Sequence, residues 1–153
     1  MNISKNGIYL IKQSEGFSAK WYICPAGFKT IGYGHKYVKG DELKISEPLS
    51  LSDAHDLLMN DLKERVDQLN NLKLNLSQNE FDATISFIFN FGIGAFISST
   101  VYKMLKIGNK AEALVWWAKW INERKVVDGV SKLVPSPGLI ARRNREIALF
   151  KAA

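Results

Sequence analysis

The chain has 153 residues, 46% hydrophobic and 24% charged, which suffices for one globular domain or two small lobes sharing a core and is unlike a disordered segment. Its 21 Lys and Arg against 15 Asp and Glu give a formal charge of +6, favouring encounters with polyanions (nucleic acid, an anionic membrane, an acidic cell wall) without choosing among them. A single cysteine, Cys24, excludes an intramolecular disulfide, and Met1 to Gly7 lacks the apolar stretch of an export signal, so folding and accumulation in a reducing cytoplasm are expected.

In chain order, Ile8, Ile11 and Glu15 share one face of a helix expected from about residue 3 to 15, with Gly16 placed to end it. Residues 17–45 crowd aromatic and β-branched residues between glycines, with turn signals at Pro25-Ala26-Gly27 and Lys39-Gly40-Asp41. They predict a small antiparallel sheet of about three strands. After Pro48, Ser50 and Asp53 begin a long helix whose stripe is Ala54, Leu57, Leu58, Leu62, Val66 and Leu69. Ser77 and Glu80 form a fuller capping box before Phe81 to Phe91, a stretch apolar nearly all round and so expected at the centre of a helical lobe. Ser98-Ser99-Thr100 caps a short helix ending at Gly108. Residues 109–122 predict another, with Leu114, Trp117 and Ile121 on one face. Ser136-Pro137 opens a last helix to about Phe150. The fold class is α+β and mainly helical: a sheet lobe at about 17–48, a linking helix at about 50–70, and a helical lobe at about 76–153 joined by the N-terminal helix.

Glu15 stands out on physical grounds. It shares the packed face of its helix and sits at the helix C-terminus, so desolvation and the helix dipole both favour a protonated carboxyl. Such a group can act as a general acid. The competing reading is an internal salt bridge with one of the C-terminal arginines, which would favour the charged form; spacing leaves both open.

The run Glu15-Gly16, Trp21-Tyr22-Ile23-Cys24, Gly27 and Thr30-Ile31-Gly32-Tyr33-Gly34-His35 resembles, without a gap, the active-site signature of phage-type lysozymes, glycoside hydrolase family 24. Two later blocks are similar to that family as well: Gln78 to Ala83 with Ser86-Phe87 and Phe89-Asn90, and Gly138-Leu139 with Arg142-Arg143, Glu146 and Leu149-Phe150. The resemblance spans essentially the whole chain and implies a lysozyme-like single catalytic domain. It implies a triad of Glu15, Cys24 and Thr30 acting on the β-1,4 bond between N-acetylmuramic acid and N-acetylglucosamine in peptidoglycan. The second position is usually aspartate; some members carry cysteine. A thiol with an ordinary pKa of about 8.5 must ionise to act, and base, nucleophile and electrostatic roles all stay open. Thr30 would help hold the attacking water.

Tyr22, Asn90, Arg142 and Arg143 are candidate substrate contacts, the arginines through peptide-stem carboxylates. For Asn90 the alternative partner is a backbone carbonyl. Trp116, Trp117 and Trp120 could stack on sugars or fill a core. His35 reads as a structural hydrogen-bonding residue. No cofactor, metal or nucleic-acid partner is expected, and the chain is expected to be a monomer. The resemblance implies an endolysin held in the host cytoplasm until a holin releases it. Two other functions compete: a zinc amidase using Cys24, His35 and His55, and a non-enzymatic wall or membrane binder whose basic C-terminal helix (Arg142, Arg143, Arg145, Lys151) meets anionic lipid.

Overall fold

The computed structural model describes residues 1–152. Ser4 caps α1 (Lys5–Glu15) through the Asn6 N–H, and Gly16 follows at φ 70°. Two features fix where α1 lies. The buried Asp82 carboxylate accepts the Ser4 N–H at 2.9 Å, the Ser4 hydroxyl, and the Gln78 amide at 2.9 Å. Gly7 leaves no room for a side chain: a Cβ there would stand 2.8 Å from Asp82 Cβ. The helix therefore lies directly on α3 (Gln78–Phe91), and Glu15 falls two turns beyond that crossing.

The sheet lobe holds β1 (Ser18–Ile23), β2 (Lys29–Gly32) and β3 (His35–Lys36), antiparallel in that order. Tyr22 pairs with Thr30, and Thr30 with Lys36. The opposite face carries Ile31, fully buried, which packs with Leu49 and Ala54 into a small core. A short 3-10 turn at Asp41–Leu43 follows. Then α2 (Leu51–Asn71) starts at the Ser50 cap and runs out of this small core into the large one, burying Ala54 in the first and Leu58, Leu62, Val66 and Leu69 in the second.

Helix α3 is the centre of the large core, as its sequence predicts. Every residue from Phe81 to Ile88 is buried, and Ser77 and Glu80 close a capping box at its start. Around it lie α4 (Ile93–Ser98), α5 (Thr100–Lys106), α6 (Lys110–Trp117) and α7 (Pro137–Lys151). Phe87 anchors the packing, its ring meeting Trp117 and Trp120 with centroids at 5.2 Å in both cases.

One stretch departs from the sequence reading. The helix expected over 109–122 ends at Trp117, and the chain enters a hairpin of β4 (Asn122–Val127) and β5 (Val130–Pro135). Its turn is Asp128-Gly129, with φ of 52° and 75°. Asp-Gly between valines is a strong hairpin signal that helical periodicity upstream had masked. The hairpin buries little: Val126 is 75% exposed.

Candidate active site

Glu15 ends α1 at the junction of the two lobes. Its Oε1 accepts from Arg142 Nη1 at 2.5 Å, so the salt bridge raised by sequence is present. The other oxygen, Oε2, lies over the β2–β3 turn. A Cβ on Gly34 would stand 2.7 Å from it, and Gly34 has φ 81°. Glycine is thus required there twice, for the left-handed turn and for the approach of the carboxyl. No protein donor reaches Oε2 among the described residues, and the side chain keeps 21% exposure. One oxygen is anchored and the other is open.

Arg142 is itself held from within. Its Nη2 donates to the Ser86 carbonyl at 3.1 Å, and its Nε to Glu146 Oε1 at 3.3 Å. Glu146, wholly buried, also accepts from Ser86 Oγ at 2.7 Å, from Trp117 Nε1 at 2.8 Å and from Arg143 Nη2 at 2.9 Å. Arg143 donates further to Asn90 Oδ1 at 2.8 Å, and its guanidinium faces the rings of Phe87 and Phe91 at 5.0 and 4.8 Å. Desolvation pulls its pKa down to about 10, against the Glu146 carboxylate.

These contacts show where the structure puts the sequence candidates. Arg142 and Arg143, expected as substrate contacts, are 4% and 1% exposed and donate to protein groups on the floor of the site. The side-chain oxygen of Asn90 accepts from Arg143. Trp117 is core, fully buried; Trp116 is 37% exposed. Of the four basic groups expected to meet anionic lipid, two are inside, leaving Arg145, partly buried, and the exposed Lys151.

The opposite wall is the β1–β2 hairpin. Strand alternation puts Tyr22, Cys24, Phe28, Thr30 and, across the sheet, Lys36 on one face. The Cys24 N–H donates to the Phe28 carbonyl at 2.9 Å, and the Gly27 N–H to the Cys24 carbonyl at 2.8 Å, which locks the turn. Thr30 is 3% exposed and donates its hydroxyl proton to the Phe28 carbonyl at 2.8 Å, leaving its oxygen to accept. Partial burial pushes the Cys24 thiol up, but backbone hydrogen bonds at Phe28 and Ala26, the Thr30 side chain and the Lys36 charge outweigh it, so the thiol lies below its ordinary range. Tyr22 is held above its ordinary value by burial, then by the charges of Glu15 and Cys24. The phenol therefore stands in the fields of both.

His35 braces this wall. Its Nδ1 meets Asp61 Oδ2 at 2.7 Å and its Nε2 meets Asp41 Oδ2 at 2.8 Å, tying β3 to α2 and to the turn before it. With both ring nitrogens so engaged, His35 is committed to structure. No cluster of three or more His, Cys, Asp or Glu side chains able to hold a metal gathers among the described residues.

Sequence reasoning left two features of the site unassigned. Glu146 was noted without a role, although its spacing from Arg142 and Arg143 (i+4 and i+3) signals a helix-face ion pair. Lys36 was passed over because its place beside Thr30 depends on hairpin register.

The chain matches the family described as phage lysozyme over residues 12–146. It is 40% identical over the full length of both chains to an endolysin of Acyrthosiphon pisum secondary endosymbiont phage 1. Among solved structures, the muramidase domain of SpmX from Asticaccaulis excentricus superposes with a TM-score of 0.84, at 35% identity and covering 99% of each chain. An endolysin from an Escherichia coli phage superposes with a TM-score of 0.84, at 34% identity, covering 99% of this chain and 94% of that one.

Proposed function

This chain belongs to the phage lysozyme family, and from that premise we propose that Glu15, Cys24 and Thr30 form its catalytic triad. It is a peptidoglycan-hydrolysing endolysin, a glycoside hydrolase. The bond cut is the β-1,4 link from N-acetylmuramic acid to N-acetylglucosamine, within a single catalytic domain whose two lobes flank Glu15.

The observation that carries this reading is the split environment of the Glu15 carboxyl: Oε1 clamped by Arg142, Oε2 unpartnered over Gly34. Oε2 is the oxygen that delivers the proton to the glycosidic oxygen as the C1–O bond breaks. Arg142 acts as a positioning residue, fixing the rotamer of the acid. On the facing wall, Thr30 holds a water through its free lone pairs. The Cys24 thiolate, eased into ionisation by its hydrogen bonds and by Lys36, takes that water's proton as the water attacks C1. Tyr22, 41% exposed between the two, is the substrate contact best supported by position.

No helix among the described residues is long and apolar enough to cross a membrane. From its likeness to phage endolysins we further propose that the enzyme waits in the host cytoplasm until a separate membrane protein lets it reach the wall.

The deciding test is clearing of purified sacculi by Glu15→Gln, with mass spectrometry of the released fragments. Wild type should leave muramic acid at the new reducing ends, and the variant should release almost nothing. Full activity in the variant, or cleavage in the peptide stem, overturns the reading.

A further inference from the structure

The row Tyr22–Thr30–Lys36 crosses all three strands on the face that carries Cys24. The third strand contributes Lys36, whose charge already favours the Cys24 thiolate. Lys36 is exposed and forms no ion pair among the described residues. Its ammonium sits instead 4.4 Å from the centroid of the Phe28 ring, itself 50% exposed. The edge of the site thus presents a cation without an ion-pair partner, resting on one face of a half-exposed aromatic ring. Exposed aromatic rings offer apolar area to a pyranose or an N-acetyl methyl group, and a free ammonium takes a carboxylate.

We propose that Lys36 and Phe28 form a binding subsite for the peptide-bearing muramyl unit, in which Phe28 packs on the sugar and Lys36 pairs with a carboxylate of the peptide stem. The proposal rests on the muramidase reading. It deepens that reading by naming the determinant of acidic-substrate preference. The neighbouring cations support it. Lys29 lies on the other face of the sheet, 5.0 Å from the Trp21 ring and 5.1 Å from the Tyr37 ring, whereas Lys36 shares the face of Tyr22 and Thr30. With Arg142 and Arg143 buried in the floor, the wall supplies the free cation that the floor does not.

The test uses a soluble N-acetylglucosaminyl-N-acetylmuramyl peptide, in one form with free stem carboxylates and in another with those carboxylates amidated. Binding of each to the whole enzyme is measured by calorimetry at low salt, which requires no turnover. Wild type should bind the free acid about three- to fivefold more tightly, the size expected of a partly exposed ion pair. Lys36→Met should erase the preference and Lys36→Arg should keep it. Phe28→Ala should weaken both forms alike. Equal binding of both forms by wild type, or a preference that survives Lys36→Met, overturns the proposal. So does a Lys36→Met effect confined to the pH profile of clearing, which would assign Lys36 to the Cys24 thiol alone. Activity retained by Glu15→Gln would instead sink the muramidase reading, and the two failures are distinguishable because binding is read without catalysis.

Discussion

Glu15 and Cys24, whose charges both reach Tyr22, stand in surroundings of opposite kind. Behind Glu15 stands a buried network of Arg142, Ser86, Glu146, Arg143, Trp117 and Asn90, drawn from α3, α6 and α7 and sealed by aromatic rings. Behind Cys24 stands a small three-stranded sheet, held by backbone hydrogen bonds and a small core around Ile31. An acid that must keep one oxygen fixed sits on the rigid side. A thiol that must ionise sits where water can solvate its charge. The difference suggests that substitutions on the floor act through stability as well as rate, and substitutions on the wall act mostly through rate.

The largest effect should come from Glu15→Gln. Clearing activity should drop by about a hundred- to ten-thousandfold, the range for loss of a general acid. The thermal midpoint should barely move, because the amide oxygen can still accept from Arg142; an unfolded variant would erase the contrast between chemistry and scaffold.

Next, Glu146→Ala should destabilise the fold by about 3–5 kcal/mol in denaturant titrations, since it strands two buried guanidiniums without their common carboxylate. A cost below about 1 kcal/mol, the level of a typical surface change, would mean the floor is no more rigid than the wall.

On the wall, Cys24→Ser should cost about ten- to a hundredfold in clearing rate while stability changes by less than about 1 kcal/mol. Cys24→Asp should recover much of the rate. In wild type the thiol must lose its proton, so activity should rise with pH, with a midpoint below the ordinary thiol value of about 8.5 because the folded thiol is lowered. In Cys24→Asp that limb should move down to the carboxylate range. A limb that stays in place would take the base role from Cys24.

The smallest effect concerns His35. Burial lowers its pKa, but hydrogen bonds and charge from Asp61 and Asp41 outweigh this and raise it. A raised folded pKa stabilises fully below the unfolded value of about 6.5 and is lost as pH rises through the folded one. The gap in denaturation midpoint between wild type and His35→Gln should therefore be wider near about pH 5.5 than near about pH 8.5. A pH-independent gap would show that charge does not brace the wall.

Much of this was legible from local pattern. Ser50, Ser77, Ser99 and Ser136 all cap helices, and Gly16 stops α1, because caps depend on residues within one turn. The end of α6 was not legible, since Trp117 and Ile121 keep a helical period past the point where the helix stops, although Asp128-Gly129 signals the β4–β5 hairpin beyond it. Arg142 and Arg143 read as exposed ligands because charge usually means surface. Only the partnering Glu146 and the rings of Phe87 and Phe91 make their burial tolerable.

By itself, then, the sequence determined the helical frame, the α+β class, the all-buried α3, and the spacing of Glu15, Cys24 and Thr30 that marks the family. Those properties follow from periodicity, capping and short-range motif, which act over a few residues. Tertiary structure alone decided which oxygen of Glu15 is free, which cation reaches it across 127 positions of chain, and that Lys36 rather than an arginine faces the open wall. Each of those outcomes depends on elements distant in sequence being brought to within hydrogen-bond or ring-contact range, and no local rule sets that distance.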